Sequence, residues 1–337
     1  MAGCSTVTTV IRRRRGLALL SVVVGLVLSA CSSGPGQVNA AAIVGGKTIT
    51  VDRVQELVRK AVDIEPAAQV LADQRKLDLL SRGVLKQLVL HELVDAYARE
   101  NGVTVDGAEV DRLAGQIRES LQPLPTDGTV PADAIVQQAV NRVMDPVELA
   151  RDYLLQLKIG EAAAPTLAVT MDYVALTPGG PDEPTGSLRG KAEDLARRMA
   201  VSSEEATRIL EEEIAAGSQA DRAVVFSPGA NGSQDAGMLL YGTPENSVIA
   251  FQPSAEQAVW VVGVIRERKT DAQPNPSAAQ DPRVAATLGP RLLQPMVDKV
   301  GVEISPRYGV WDIAAMGVAP SAAEATGIVL PLGAAKP

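Results

Sequence analysis

Apolar positions along this chain repeat with a helical period over the first half and become strand-like in the second. Leu85, Leu88, Val89, Leu93 and Tyr97 fall three or four residues apart and so share one helix face. The spacing predicts a long helix over about 72–100, stopped at Asn101-Gly102, where a left-handed turn is easy. Upstream, Val54, Leu57, Val58 and Ala61 line a helix over about 53–63, with Asp52 as N-cap and Gln55 as its capping-box partner. Asp106-Gly107-Ala108-Glu109 opens a helix to about Leu121, and another over about 132–144 follows the loop 123–128. Asp145-Pro146-Val147-Glu148 joins an N-cap, a first-turn proline and a capping acid, and starts a helix ending near Glu161. Residues 52–163 therefore read as an all-helical unit, preceded by a short hairpin or extended turn around Gly45-Gly46.

At Pro165 the pattern changes. Residues 167–176 are β-prone, and 178–186 form a turn-rich loop. Two helices follow, over 188–199 and from the cap at Ser202 to Ala215. Strands are expected at 223–226, 247–251 and 258–265, the last so continuously apolar that it should be buried. Residues 165–269 read as a small α+β domain. A polar linker over 270–280 leads to Asp281-Pro282, the cap of a final helix over about 283–300 that Pro290 should kink. An ordered turn at 306–311 closes a C-terminal segment, 281–312, and the Ala-, Gly- and Pro-rich stretch 313–337 reads as a loose tail. The fold class is α+β, mainly α.

The N-terminus carries a different signal. Arg12 to Arg15 precede the apolar stretch 16–30, which ends in Leu28-Ser29-Ala30 before Cys31. A cationic head, an apolar middle and small residues before a cut site make residues 1–30 a secretory signal peptide. The apolar stretch is shorter than the roughly 20 residues a spanning helix needs. A cysteine at this place resembles a bacterial lipoprotein signal. The resemblance implies that the Cys31 thiol takes a diacylglyceryl group and anchors the chain on the outer face of the cytoplasmic membrane. The Ser-, Gly- and Pro-rich segment within 31–40 reads as a flexible tether.

Charge and composition narrow the chemistry. Without residues 1–30 the chain keeps 28 basic and 40 acidic residues, a net charge of −12. Such a chain repels phosphate backbones, which argues against a nucleic-acid partner. It also argues against docking on anionic lipid, leaving the acyl group at Cys31 as the anchor. Cys31 is then the last cysteine, so disulfides and cysteine metal sites are excluded. His91 is the single histidine, which excludes a two-histidine zinc site and leaves no nucleophile elbow to serve a triad. It reads as part of a solvated helix face paired with Asp95 one turn on. Gly46-Lys47-Thr48 resembles the end of a phosphate-binding loop, but the position that needs its first glycine is Ala41, so a tight turn is the better reading. Glu211-Glu212-Glu213 reads as a solvated helical run, and Asn231-Gly232-Ser233 has no role in a bacterial lipoprotein. No cofactor, metal or catalytic residue is expected.

The stretch from Val84 to Ile117 has a long helix bearing Leu85, Leu88 and Leu93, then Asn101-Gly102-Val103-Thr104-Val105, then a helix opening near Glu109-Val110. It resembles the N-terminal helical domain of SurA-type chaperones and PrsA-type foldases, and Ala42 to Thr50 resembles that family's strand-turn-strand start. Together they cover roughly 41–121, within a helical domain over 41–164. The family often continues into a parvulin-type prolyl isomerase domain. Residues 165–269 are similar to one in outline, with Asp235-Ala236-Gly237-Met238-Leu239 at a characteristic turn. Where parvulins usually hold paired histidines, this chain has Tyr173 and Val259 or Trp260. The resemblance implies a lipid-anchored extracytoplasmic chaperone that binds unfolded exported polypeptides without ATP, with the C-terminal segment packed on the N-terminal helices. The alternatives are a prolyl isomerase with an unorthodox site and a dedicated envelope assembly lipoprotein.

Overall fold

A computed structural model describes residues 39–178, 185–253 and 258–333. The signal segment 1–30, Cys31 and most of the tether lie outside the described residues.

The chain begins with β1 (Ala40–Val44) and β2 (Lys47–Thr50), joined through Gly45 and Gly46, both at positive φ. Helix α1 (Val51–Ile64) follows without a linker, and Thr50 caps it, accepting from the Arg53 amide at 3.1 Å, so the cap lies two residues before the expected Asp52. The helix expected over about 72–100 starts later, and a short helix that was not expected precedes it. Helix α2 (Pro66–Asp73) ends where Arg75 takes a φ of 60°, and α3 (Leu77–Asn101) starts after that turn and stops at Gly102. The break lets α2 fold back so that Ala67 and Leu71 bury against Ile135. Helices α4 (Gly107–Ser120), α5 (Ala132–Val143) and α6 (Pro146–Ala163) follow. Asp106 and Asp145 cap α4 and α6, accepting from the Glu109 and Val147 amides at 3.0 and 2.8 Å.

The second half contains β3 (Ala168–Leu176), α7 (Thr185–Met199), α8 (Ser203–Ala215) and β4 (Gln219–Phe226). Two 3-10 turns, Ser233–Gly237 and Leu239–Gly242, lead to β5 (Ser247–Phe251) and β6 (Trp260–Lys269). The stretch expected to be a plain linker contains α9 (Pro276–Gln280). Helix α10 (Pro282–Arg291) tolerates Pro290 in its last turn, and the chain breaks just after it before α11 (Gln294–Val300). Strands β7 (Val302–Ile304), β8 (Val310–Asp312), β9 (Gly317–Ala319) and β10 (Gly327–Pro331) complete the chain.

The C-terminal part contains strands that the sequence reading did not expect. Strand β7 joins the N-terminal hairpin in a sheet of order β2-β1-β7, with Ile43 opposite Glu303, so both chain ends build one sheet. The expectation of a loose tail over 313–337 is corrected as far as Gly333. Strand β10 is the edge of an antiparallel sheet of order β10-β5-β6-β3-β4, with Val329 opposite Ile249. Its residues alternate like any half-buried strand: Ile328 and Leu330 pack on one side of the sheet and Val329 on the other. Gly327 lets the backbones meet, since a Cβ there would lie 2.7 Å from the Ala250 carbonyl oxygen.

The sheet is covered on both faces. Val174, Val248, Val262 and Val264 bury against Leu188, Leu195, Ile209 and Leu210 of α7 and α8. Val169, Met171, Ile249, Phe251 and Ile265 on the other face belong to the same core as Leu80, Val84, Leu93 and Leu288 of the helices. The change at Pro165 is thus a change of secondary structure within one core, and 41–337 forms a single compact unit. Two glycines fasten α10 to α6. A Cβ on Gly160 would fall inside the Ala285 carbonyl, and one on Gly289 inside the Gln156 carbonyl, so the backbones touch where the helices cross. Among the described residues no helix is long and apolar enough to cross a membrane.

Candidate functional site: a groove closed by the C-terminal segment

The groove lies between α3, α5 and the segment from Asp312 to Thr326, and has a volume of about 600 Å³. That is within the roughly 300–1,000 Å³ of ordinary ligand clefts. Its walls are largely apolar: Leu79 on α3, Val136 and Val140 on α5, and Val318, Ala319 and Pro320 on the C-terminal side. Gly83 sets the approach of the two helices, because a Cβ there would collide with Val136. The groove's polar rim includes Arg82, Asp133, Gln137 and Glu324.

The third wall is held by two buried charges. Asp312, 2% exposed, accepts from the Ala314 and Ala315 amides at 2.9 and 3.2 Å and from the Thr326 amide and hydroxyl at 2.6 and 2.9 Å. Arg291 on α10, 8% exposed, donates to the carbonyls of Gly237, Ile313 and Ala314 at 2.9, 3.0 and 2.6 Å, and to Gln294 Oε1 at 3.1 Å. Burial lowers Arg291 to about 10, opposed by the Asp312 carboxylate, so it stays cationic at neutral pH. Both carboxylate oxygens of Asp312 and all three nitrogens of Arg291 have partners, which is the condition for keeping buried charge.

Lys86 lines the groove from α3 and is half-buried. Among the described residues no acceptor lies within hydrogen-bond reach of its ammonium. Burial holds its pKa below the usual lysine value, and the nearby Arg291 charge pushes the same way.

A second hollow of about 370 Å³ runs between α4 and α6, lined by Leu113, Ile117, Leu149 and the half-exposed Tyr153. His91 sits beside it. The expected pairing of His91 with Asp95 is present but is the weaker of two, and the ring is only partly exposed. Its Nδ1 lies 2.9 Å from Asp152 Oδ2 on α6, whereas Asp95 is 3.8 Å from Nε2 and bonds more closely to Arg151 at 2.5 Å. Crossing helices bring the Asp152 carboxylate, almost fully buried, onto a histidine that local spacing ties to Asp95. The hydrogen bond to Asp152 raises His91 to about 9 against the opposing effect of burial, with the charges of Asp152, Asp95 and Glu148 adding to the rise. A third cavity, about 620 Å³, lies among Tyr97, Pro244, Arg268, Leu292 and Pro295.

The remaining sequence candidates take structural places. Lys47 of the Gly-Lys-Thr turn pairs with Glu92 at 2.5 Å. Glu211 pairs with Arg222 at 2.8 Å, Glu212 with Arg208, and Glu213 accepts from the Ser218 hydroxyl at 2.6 Å. Tyr173 meets Phe226 edge-on at 6.1 Å between ring centres, and Trp260 is buried beneath the Arg189 guanidinium, 5.9 Å from its ring centre. Asp235 ties its own loop, accepting from the Gly229 and Asn231 amides at 2.6 and 2.9 Å. Cys31 lies outside the described residues. Sequence reasoning missed Gly83, Lys86 and the whole C-terminal wall. Lys86 has no distinguishing local signal: on an isolated helix it would be a solvated lysine beside an apolar stripe.

An open groove with apolar walls in a mainly helical body suits a protein that engages extended or unfolded chains. Residues 9–150 match the family model of the SurA-like N-terminal domain. That stretch of the chain is therefore similar to the N-terminal domain of SurA-type chaperones, which suggests a chaperone-type, extracytoplasmic role. The match ends within α6 and leaves out the five-stranded sheet. No curated protein matches the chain.

Proposed function

We propose that this protein is a lipid-anchored chaperone on the outer face of the cytoplasmic membrane, which holds unfolded exported polypeptides in the groove between α3, α5 and the C-terminal wall. The observation that carries this reading is the groove itself: apolar residues from α3, α5 and β9 surround a volume that no side chain of the described residues fills. Apolar burial is non-directional, so such a surface accepts many sequences at modest affinity. Binding and release follow from that affinity alone, without ATP; Ala41 stands where a phosphate loop needs glycine. The anchor is Cys31, whose position after Leu28-Ser29-Ala30 supports acylation, and the tether to Asn39 gives the groove reach from the membrane surface.

The test is suppression of aggregation of a chemically unfolded client by the purified protein. Val318→Asp, which puts a charge on the groove wall, should remove most of the protection, provided circular dichroism shows the fold intact. Val225→Asp, at a 63% exposed position on β4, should leave it unchanged. Equal protection by both variants would refute the groove as the holding surface. For the anchor, Cys31→Ala should abolish membrane retention or block processing; normal membrane levels of that variant would refute it.

A further inference from the structure

Two charges of the groove have no partner among the described residues, the exposed Asp133 and the half-buried Lys86, and the half-buried one specifies an occupant. Arg82 is engaged by Asp78 at 2.7 Å, Glu324 accepts from Ser321 at 2.7 Å, and Asp312 is saturated by amides and a hydroxyl. Lys86 differs. Its stem runs beside Gly317, where a Cβ would lie 3.4 Å from Cδ and 3.8 Å from Cε, in ordinary van der Waals contact. Its ammonium ends in the groove with no acceptor and no carboxylate in reach among the described residues.

Near it stands Arg291, which spends four of its five N–H donors on carbonyls and Gln294. The Arg291 charge is opposed by the buried Asp312, so the half-buried Lys86 ammonium, without an acceptor of its own, is the group that would receive a negative charge. A peptide carbonyl would satisfy the hydrogen bonds but not the charge. The apolar walls on either side exclude a freely solvated anion and favour a carboxylate carried by an apolar chain.

We propose that the groove selects extended client segments in which an acidic side chain is flanked by apolar residues, the carboxylate being received by Lys86. The proposal rests on the groove reading above and names its substrate class. The chain's overall negative charge does not oppose it at close range: at physiological salt the Debye length is about 8 Å, which screens the exposed Asp133 and Glu324 far more than it screens Lys86.

The experiment measures anisotropy of two labelled, end-blocked, unstructured apolar peptides binding to the purified full chain, identical but for a central Glu or Gln. The Glu peptide should bind about tenfold more tightly, as expected for a charge-assisted hydrogen bond in a desolvated site. Lys86→Met keeps the stem, should fold with an unchanged or slightly higher Tm, and should erase the preference; Lys86→Arg should keep it. Equal binding of the two peptides by the unmodified protein, or a preference that survives Lys86→Met, overturns the proposal while leaving the groove as a chaperone surface. Failure of both peptides to bind overturns the groove reading with it. The comparison of the two peptides needs no variant, so a misfolded Lys86→Met would not rescue the proposal.

Discussion

In the five-stranded sheet, the buried Asp172 receives Arg266 at 2.6 Å and the Ala223 amide at 2.8 Å, while Arg266 spends its other nitrogens on the hydroxyls of Ser203 and Thr207 at 2.8 and 3.1 Å. That network ties β3 and β6 to α8. In the helical part, Lys86 stands half-buried beside another cation with nothing to receive its protons. Helices cover one face of the sheet and the shared core the other, with edge strand β4 largely exposed, whereas α3 and α5 border a groove. The contrast concerns buried charge: in the sheet Asp172 and Arg266 satisfy one another, whereas the groove keeps Lys86 without an acceptor, where the proposed client would lie.

The comparison can be broken most severely at the closed network. Asp172→Ala leaves Arg266 as an uncompensated, largely buried charge and should cost about 3 kcal/mol in urea unfolding. Because one core runs through both regions, the loss should appear as a single transition moved to lower urea; a separate early transition of the sheet would show two independent domains.

Next is the contact shared by the two regions. Gly289→Ala forces apart α10 and α6 at a backbone contact and should cost about 1–3 kcal/mol. It should also loosen the third wall of the groove, since Arg291 sits at the end of α10, and so reduce client binding along with stability.

A smaller effect concerns His91. Its folded pKa, about 9, lies above the ordinary 6.5, so the pairing with Asp152 favours the folded state most fully below about pH 6.5. That contribution, on the order of 2 kcal/mol, is lost as pH rises through about 9. His91 is the only histidine. Unfolding midpoints measured from pH 6 to 9.5 should therefore fall, and His91→Gln should flatten the fall; an unchanged slope would separate His91 from the effect.

The smallest change is expected at Lys86. Lys86→Met should alter stability by no more than about 0.5 kcal/mol in either direction, or raise it slightly, because it removes a charge that burial and Arg291 both disfavour. A large loss would mean that Lys86 is a structural residue after all.

The helical half was legible because its signals are local. Asp106, Asp145 and Ser202 each cap the helix their sequence announces, and the stripe through Leu85, Val89 and Leu93 is the buried face of α3. The break at Arg75 was not legible, since its cause is the packing of α2 on α5 through Leu71 and Ile135. The C-terminus was misread for a similar reason. The Ala, Gly and Pro around it hid the alternation of Ile328, Val329 and Leu330, whose partners lie on β5, far earlier in the chain. The groove was invisible in the same way: its walls come from three separated segments, and Gly317, from one of them, lies against the Lys86 stem. His91 fell between these cases, with the nearby Asp95 readable and the dominant Asp152 not.

The central claim, that clients occupy the groove and not the sheet, is tested most directly by site-specific photo-crosslinking. A photoreactive residue is placed singly at Gln137, on the groove rim, or at Val225, on β4, and an unfolded exported protein is added before irradiation. The account predicts client adducts from position 137 that an excess of unlabelled client removes, and only background from position 225. Adducts concentrated at position 225, or equal from both sites, would contradict it.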